Sequence, residues 1–92
     1  MSNAIELTRL ECVTGGSFKF YEVTIRHSGQ ADDYTVSARY GRIGQSGNET
    51  VKAEHLTRWQ AERERDKLVR EKERKGYDIV RQSGEQTGTP TT

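Results

Sequence analysis

Phe18-Lys19-Phe20-Tyr21-Glu22-Val23-Thr24-Ile25-Arg26 is the stretch on which the fold turns. Read in twos, it sets Tyr21, Val23 and Ile25 on one face and Phe20, Glu22 and Thr24 on the other, as in a β-strand with two distinct sides. The same period recurs on either side of it. After a polar loop at 28–33, Tyr34, Val36, Ala38 and Tyr40 alternate with Thr35, Ser37 and Arg39, which predicts a further strand. Upstream, a mixed apolar segment at 7–13 ends in Thr14-Gly15-Gly16-Ser17, a turn that lets the chain reverse. Downstream, Gly44-Gln45-Ser46-Gly47-Asn48 makes the next reversal, and 49–54 forms a fourth strand with weaker alternation.

At Leu56 the period changes. Thr57 and Gln60 have the spacing of a capping box, with Leu56 and Ala61 flanking it as a hydrophobic staple. A helix is expected from about Arg58 to Lys75, stopping at Gly76, which can take the left-handed conformation of a C-terminal cap. Its apolar stripe of Ala61, Leu68 and Val69 is narrow, and Arg65 and Lys72 on the same face lay their stems on the sheet with their heads in water. These elements make an α+β domain: a small antiparallel sheet of about four strands with one long C-terminal helix across one face. Residues 1–4 read as a tag remnant or a disordered start, 5–80 as the domain, and the polar 81–92, which holds the single proline, as a disordered tail.

Composition limits what such a domain does. In 92 residues, 30% are hydrophobic and 32% charged, so the core must be small and aromatic-rich. Fifteen Lys and Arg against fourteen Asp and Glu leave a net charge of +1, which argues against avid non-specific DNA binding through many phosphates. Cys12 is alone and reads as a small buried hydrophobe, while His27 and His55 are too far apart in sequence to suggest a metal site. No cofactor is implied. With no membrane-length apolar run and no signal-peptide pattern, the expected location is cytoplasmic and the expected state monomeric.

Candidate chemistry sits in Ala38-Arg39-Tyr40-Gly41-Arg42-Ile43-Gly44. A ring between two arginines at a hairpin can engage a sugar or base face and a phosphate together. Plainer readings stand beside this one. Tyr40 extends the core face of its strand, and Gly41 ends a strand where the backbone takes a shape closed to other residues. Arg42 either meets a phosphate or pairs with a carboxylate on the helix. The Gly41, Gly44 and Gly47 run lacks the following helix that a phosphate cradle needs, so it reads as hairpin reversal. Trp59 is either a second anchor over the sheet's end or an exposed aromatic. On the helix, Asp66 with Arg70 and Glu71 with Lys75 have the favourable i,i+4 order, and the basic cluster at Arg70, Lys72, Arg74 and Lys75 suits the helix dipole. No catalytic triad, Cys/His pair or paired carboxylate stands out, so an enzyme is not expected.

Lys19-Phe20-Tyr21, then Arg39-Tyr40-Gly41-Arg42-Ile43-Gly44, then a helix ending Glu71-Lys72-Glu73-Arg74-Lys75-Gly76-Tyr77, together resemble the WGR domain across most of the chain. The resemblance implies a small antiparallel sheet with one helix and a binding module, of the kind that engages DNA ends and neighbouring domains in poly(ADP-ribose) polymerases and also occurs in bacterial proteins. The 92 residues themselves contain no polymerase portion, so the expectation is a binding module without its enzyme. Tyr40 stands where the family has its tryptophan, Gly41 at its glycine and Arg42 at its arginine. The family's Asn-Lys-Phe-Tyr is Phe18-Lys19-Phe20-Tyr21 here, and Arg65 takes the place of a common Phe. Implied roles follow: the aromatic lies against a terminal sugar and the arginine holds the DNA end or an adjacent domain. The expectation is a nucleic-acid-binding module, DNA before RNA, with Lys19, Arg39, Tyr40, Gly41 and Arg42 as its contacts. The alternative is a protein-interaction module that docks through the same hairpin.

Overall fold

A computed structural model describes residues 3–30 and 32–84. Its elements are β1 (Asn3–Cys12), β2 (Lys19–His27), β3 (Tyr34–Arg42), β4 (Asn48–Leu56), α1 (Arg58–Arg74) and β5 (Asp78–Gly84), with a single 3-10 turn at Thr14–Gly16. They form one five-stranded sheet in the order β4-β3-β2-β1-β5, antiparallel throughout. The first four strands are a meander, and the chain then crosses from one edge of the sheet to the other. Four strand spacings amount to roughly 19 Å, so a helix of 17 residues, about 25 Å long, crosses the face on a diagonal.

β5 departs from the expected four strands. It pairs with β1 from Glu11↔Asp78 to Glu6↔Gly84 and so takes in residues 81–84, which composition placed in a tail; residues 85–92 lie outside the described residues. Ile79 and Val80 are both exposed, so the strand carries little of the alternation that marks a half-buried one. What forms it is the open backbone edge of β1, a partner far away in sequence. At the other end, Asn3 and Ala4 already belong to β1, ahead of the expected start.

Under the helix, Leu10 of β1, Tyr21, Val23 and Ile25 of β2, and Tyr34, Val36 and Ala38 of β3 meet Ala61, Leu68 and Val69. The alternation seen in the sequence is the alternation in space. Cys12 is buried and free, as expected of it. Both helix ends form as the sequence indicates: the Thr57 hydroxyl accepts from the Gln60 amide at 3.1 Å while the Gln60 side chain accepts from the Thr57 amide at 3.0 Å. Glu6 on β1 accepts from both Arg58 and Arg65, tying the helix to the sheet. No helix among the described residues is long and apolar enough to cross a membrane.

The opposite face of the sheet has no covering layer, yet Phe20 is only 1% exposed there. Side chains of neighbouring strands close over it. Arg9 of β1 and Arg39 of β3 place their guanidinium carbons 4.5 and 5.3 Å from the Phe20 ring centroid, and both bond to Glu22 between them, at 2.7 Å from Arg9 and 2.6 Å from Arg39. Arg39 also donates to the Ser46 carbonyl at 2.9 Å, which pulls the β3–β4 turn onto this face. There the turn meets Gly41. A Cβ on Gly41 would lie 2.8 Å from the Gly47 Cα, and one on Gly47, whose φ is +73°, would lie 2.4 Å from the Tyr40 carbonyl oxygen. Gly41 itself has no positive φ, so close approach, and not the special backbone shape expected of it, excludes a side chain. The glycine run is hairpin reversal.

Two outcomes follow for stability. Burial raises the Glu22 carboxyl pKa, but bonds from Arg39 and Arg9 outweigh burial and leave it below its ordinary value. The unfolded chain therefore takes up this proton first, and the stability Glu22 contributes at neutral pH is lost as pH falls through the folded value. Glu22→Gln is expected to cost about 2 kcal/mol at pH 7, with the gap to wild type narrowing in acid, as read from urea melts at neutral and low pH. Gly47→Ala, strained in both φ and space, should cost more than about 2 kcal/mol in the same melts.

Candidate nucleic-acid interface

The β2–β3 register sets the site. Lys19 lies opposite Arg42 and Tyr21 opposite Tyr40, so four side chains share the helix-side face at the end of the sheet nearest the β3–β4 turn. The Tyr21 and Tyr40 rings stack with centroids 6.0 Å apart and planes at 25°. Tyr21 is buried whereas Tyr40 remains 41% exposed. Tyr40 is thus on the core face, as its parity indicates, at the part that the helix leaves open.

The C-terminus of α1 completes the site. The Gly76 amide donates to the Glu73 carbonyl at 3.1 Å and the Tyr77 amide to the Lys72 carbonyl at 3.0 Å, the paired bonds of a Schellman motif with Gly76 at φ +100°. This cap folds Tyr77 back beside Lys72. The Lys72 ammonium then sits 4.5 Å from the Tyr21 ring centroid and 5.5 Å from that of Tyr77, a cation held between two π-faces. Lys19, Tyr21, Tyr40, Arg42, Lys72 and Tyr77 surround a hollow of about 290 Å³, with Phe20 and Gly41 also on its wall.

Cations dominate the electrostatics around Lys72, while Glu71 and Glu64 act on Tyr21. Burial lowers the Lys72 pKa, and Lys75, Lys52 and Lys19 push it the same way, against Glu71 alone. Burial raises the hydroxyl pKa of Tyr21 and of Tyr77, so both remain O–H donors at neutral pH. Among the described residues, no carboxylate pairs with Lys19, Arg42 or Lys72, so the helix carboxylate offered as a partner for Arg42 does not reach it. Three carboxylates of the sheet are engaged by arginines: Glu6 by Arg58 and Arg65, Glu22 by Arg9 and Arg39, Glu49 by Arg26. A net charge of +1 therefore hides a strongly cationic patch.

Not every expected residue meets here. Lys19, Tyr40, Gly41 and Arg42 line the hollow, whereas Arg39 lies on the opposite face, engaged with Glu22, Phe20 and the turn. Trp59 is 64% exposed near the start of the helix, away from the hollow, and anchors nothing. Among the described residues no group of three or more His, Cys, Asp or Glu gathers as a metal site; His27 stacks on Tyr34 and His55 bonds Asp33. Tyr21, Lys72 and Tyr77 were not expected at the site. The sequence did hold a signal for two of them, because a helix-ending glycine places the residue after it against the one four before it.

Neither the curated proteins nor the solved structures contain a match to this chain. The family model of the WGR domain matches residues 5–85, from β1 to one residue beyond the end of β5. A match over nearly the whole chain, on a sheet and helix that bring Tyr40, Gly41 and Arg42 to one exposed corner, establishes that this protein belongs to the WGR domain family.

Proposed function

We propose that the hollow binds the phosphate–sugar backbone of a DNA end or nick, without catalysis and with little base specificity. The WGR domain is a nucleic-acid-binding module, not a catalytic one, in proteins like the poly(ADP-ribose) polymerases. The observation that carries the reading here is Lys72: a half-buried ammonium whose charged neighbours are chiefly cations, beside tyrosine hydroxyls able to donate. A phosphate at that position relieves the mutual repulsion of Lys72, Lys19 and Arg42 and accepts their N–H bonds. Tyr40, with one face on Tyr21 and the other open, suits a terminal sugar. Arg39 leaves the contact set and acts as a brace behind the turn.

A second reading has its own support. Phe18, 53% exposed, and Tyr40, 41% exposed, are bare aromatic rings that a partner protein could cover.

Fluorescence anisotropy separates the two, with 5′-phosphorylated ends or nicks compared against closed duplex across a salt series. Arg42→Ala is expected to weaken end binding about 10- to 100-fold, the loss of one charge-assisted contact, and an unchanged affinity sinks the proposal. Lys72→Met is expected to weaken binding by about tenfold or more while its melting temperature stays at or above that of wild type, because it removes a charge that folding disfavours. Arg39→Ala should do the opposite, lowering the melting temperature and leaving the affinity of the folded protein within about twofold.

A further inference from the structure

The outward side of α1 carries a second pattern, which the hollow does not use. At 3.6 residues per turn, Trp59, Arg63, Lys67, Arg70 and Arg74 fall within an arc of about 80°, directly opposite the buried Ala61 and Leu68. All five are exposed. Among the described residues no carboxylate pairs with any of the four cations, although acidic residues lie on the same helix. Glu62 is held by Arg58 at 3.2 Å and Asp66 by Arg65 at 3.1 Å, so the expected Asp66–Arg70 pair does not form. Trp59 has Arg63 at 4.9 Å from its ring centroid and is still 64% exposed. A shallow groove of about 660 Å³ runs beside it, lined by Trp59, Arg63, Lys67 and Arg70, with Glu64 and Asp66 also on its wall.

We infer that this stripe is a track for single-stranded nucleic acid, with a base stacked on Trp59 and phosphates on the row of cations. The geometry favours this occupant over others of the same charge. Successive cations stand one helical turn apart, on the order of 5–6 Å, in a row one side chain wide, which suits a single line of phosphates. The carboxylates of Glu73 on one flank and of Glu64 and Glu71 on the other repel the second phosphate line of a duplex, and equally an acidic peptide that spreads its charge to both sides. The open Trp ring adds what phosphate contacts lack, a face that accepts any base. Arg74 ends the stripe two residues beyond Lys72 and on the other side of the helix from it, so a strand leaving the hollow reaches the track by passing round the C-terminal end of α1. Only this continuity rests on the end-binding reading; the single-strand contact stands by itself.

Trp59 is the sole tryptophan, so its fluorescence reports on this surface directly. The probe is an unstructured thymidine oligonucleotide of about eight nucleotides, within the span that single-strand grooves cover. Expected are quenching on titration and a log–log salt slope of about −2 to −3 for the cations engaged. By anisotropy, Trp59→Ala should weaken binding roughly fivefold or more. The Arg63→Gln/Arg70→Gln double variant, checked for native circular dichroism, should remove the extra affinity of an overhang-bearing duplex over a blunt one and spare blunt-end binding; Arg42→Ala should do the reverse. Absence of quenching at low salt overturns the inference, as does quenching by a poly-glutamate peptide and not by the oligonucleotide. Loss of blunt-end binding in the wild type with quenching retained overturns the end-binding reading and leaves the track standing.

Discussion

The structure depends on the bridge from Arg9 through Glu22 to Arg39 above the Phe20 ring. A single helix can cover only one face of a five-stranded sheet, and a sheet with one bare face must protect it by other means. Here the means are local. Two guanidinium groups lie over the ring, Glu22 between them bonds to both, Glu11 supplies the second negative charge through Arg9 at 2.8 Å, and every buried side-chain polar atom among the described residues has a partner. The bridge joins three adjacent strands, and through Arg39 it fixes the Ser46 carbonyl and thereby the turn that packs Gly47 on Gly41. The corner that carries Tyr40 and Arg42 is held from behind by this network.

The same pairing explains how a chain with a net charge of +1 presents a cationic site. Carboxylates at Glu6, Glu22 and Glu49 are drawn into bonds with arginines on the sheet and helix. Lysines remain at the corner. The depressed Lys72 ammonium is the direct physical sign of this separation, since its burial is reinforced chiefly by other lysines. Composition averages over the separation, and so understates the attraction of the corner for an anion.

Much was legible before any coordinates. Strands 2 and 3 followed from strict alternation, and the helix from Thr57, Gln60 and Gly76, because caps and parity are local properties of the chain. The separation of Arg39 from Tyr40 was also legible, since adjacent residues of a strand point to opposite faces; grouping them as one contact surface set aside the very period that identified the strand. β5 was not legible. Its Ile79 and Val80 bury little, and its stability comes from pairing with β1, so no local pattern announces it.

By itself the sequence determined the class of the domain, the two ends of the helix, the faces of the central strands and the family. Tertiary structure alone decided that Lys72 and Tyr77 join Lys19, Tyr40 and Arg42, that Arg39 supports from behind, and that Trp59 stays in water. The reason is the range of the forces involved. Period and capping act over three or four residues, whereas the register of β2 on β3, the diagonal of α1 and the closing of the sheet by β5 set distances between residues far apart in the chain, and those distances create the hollow.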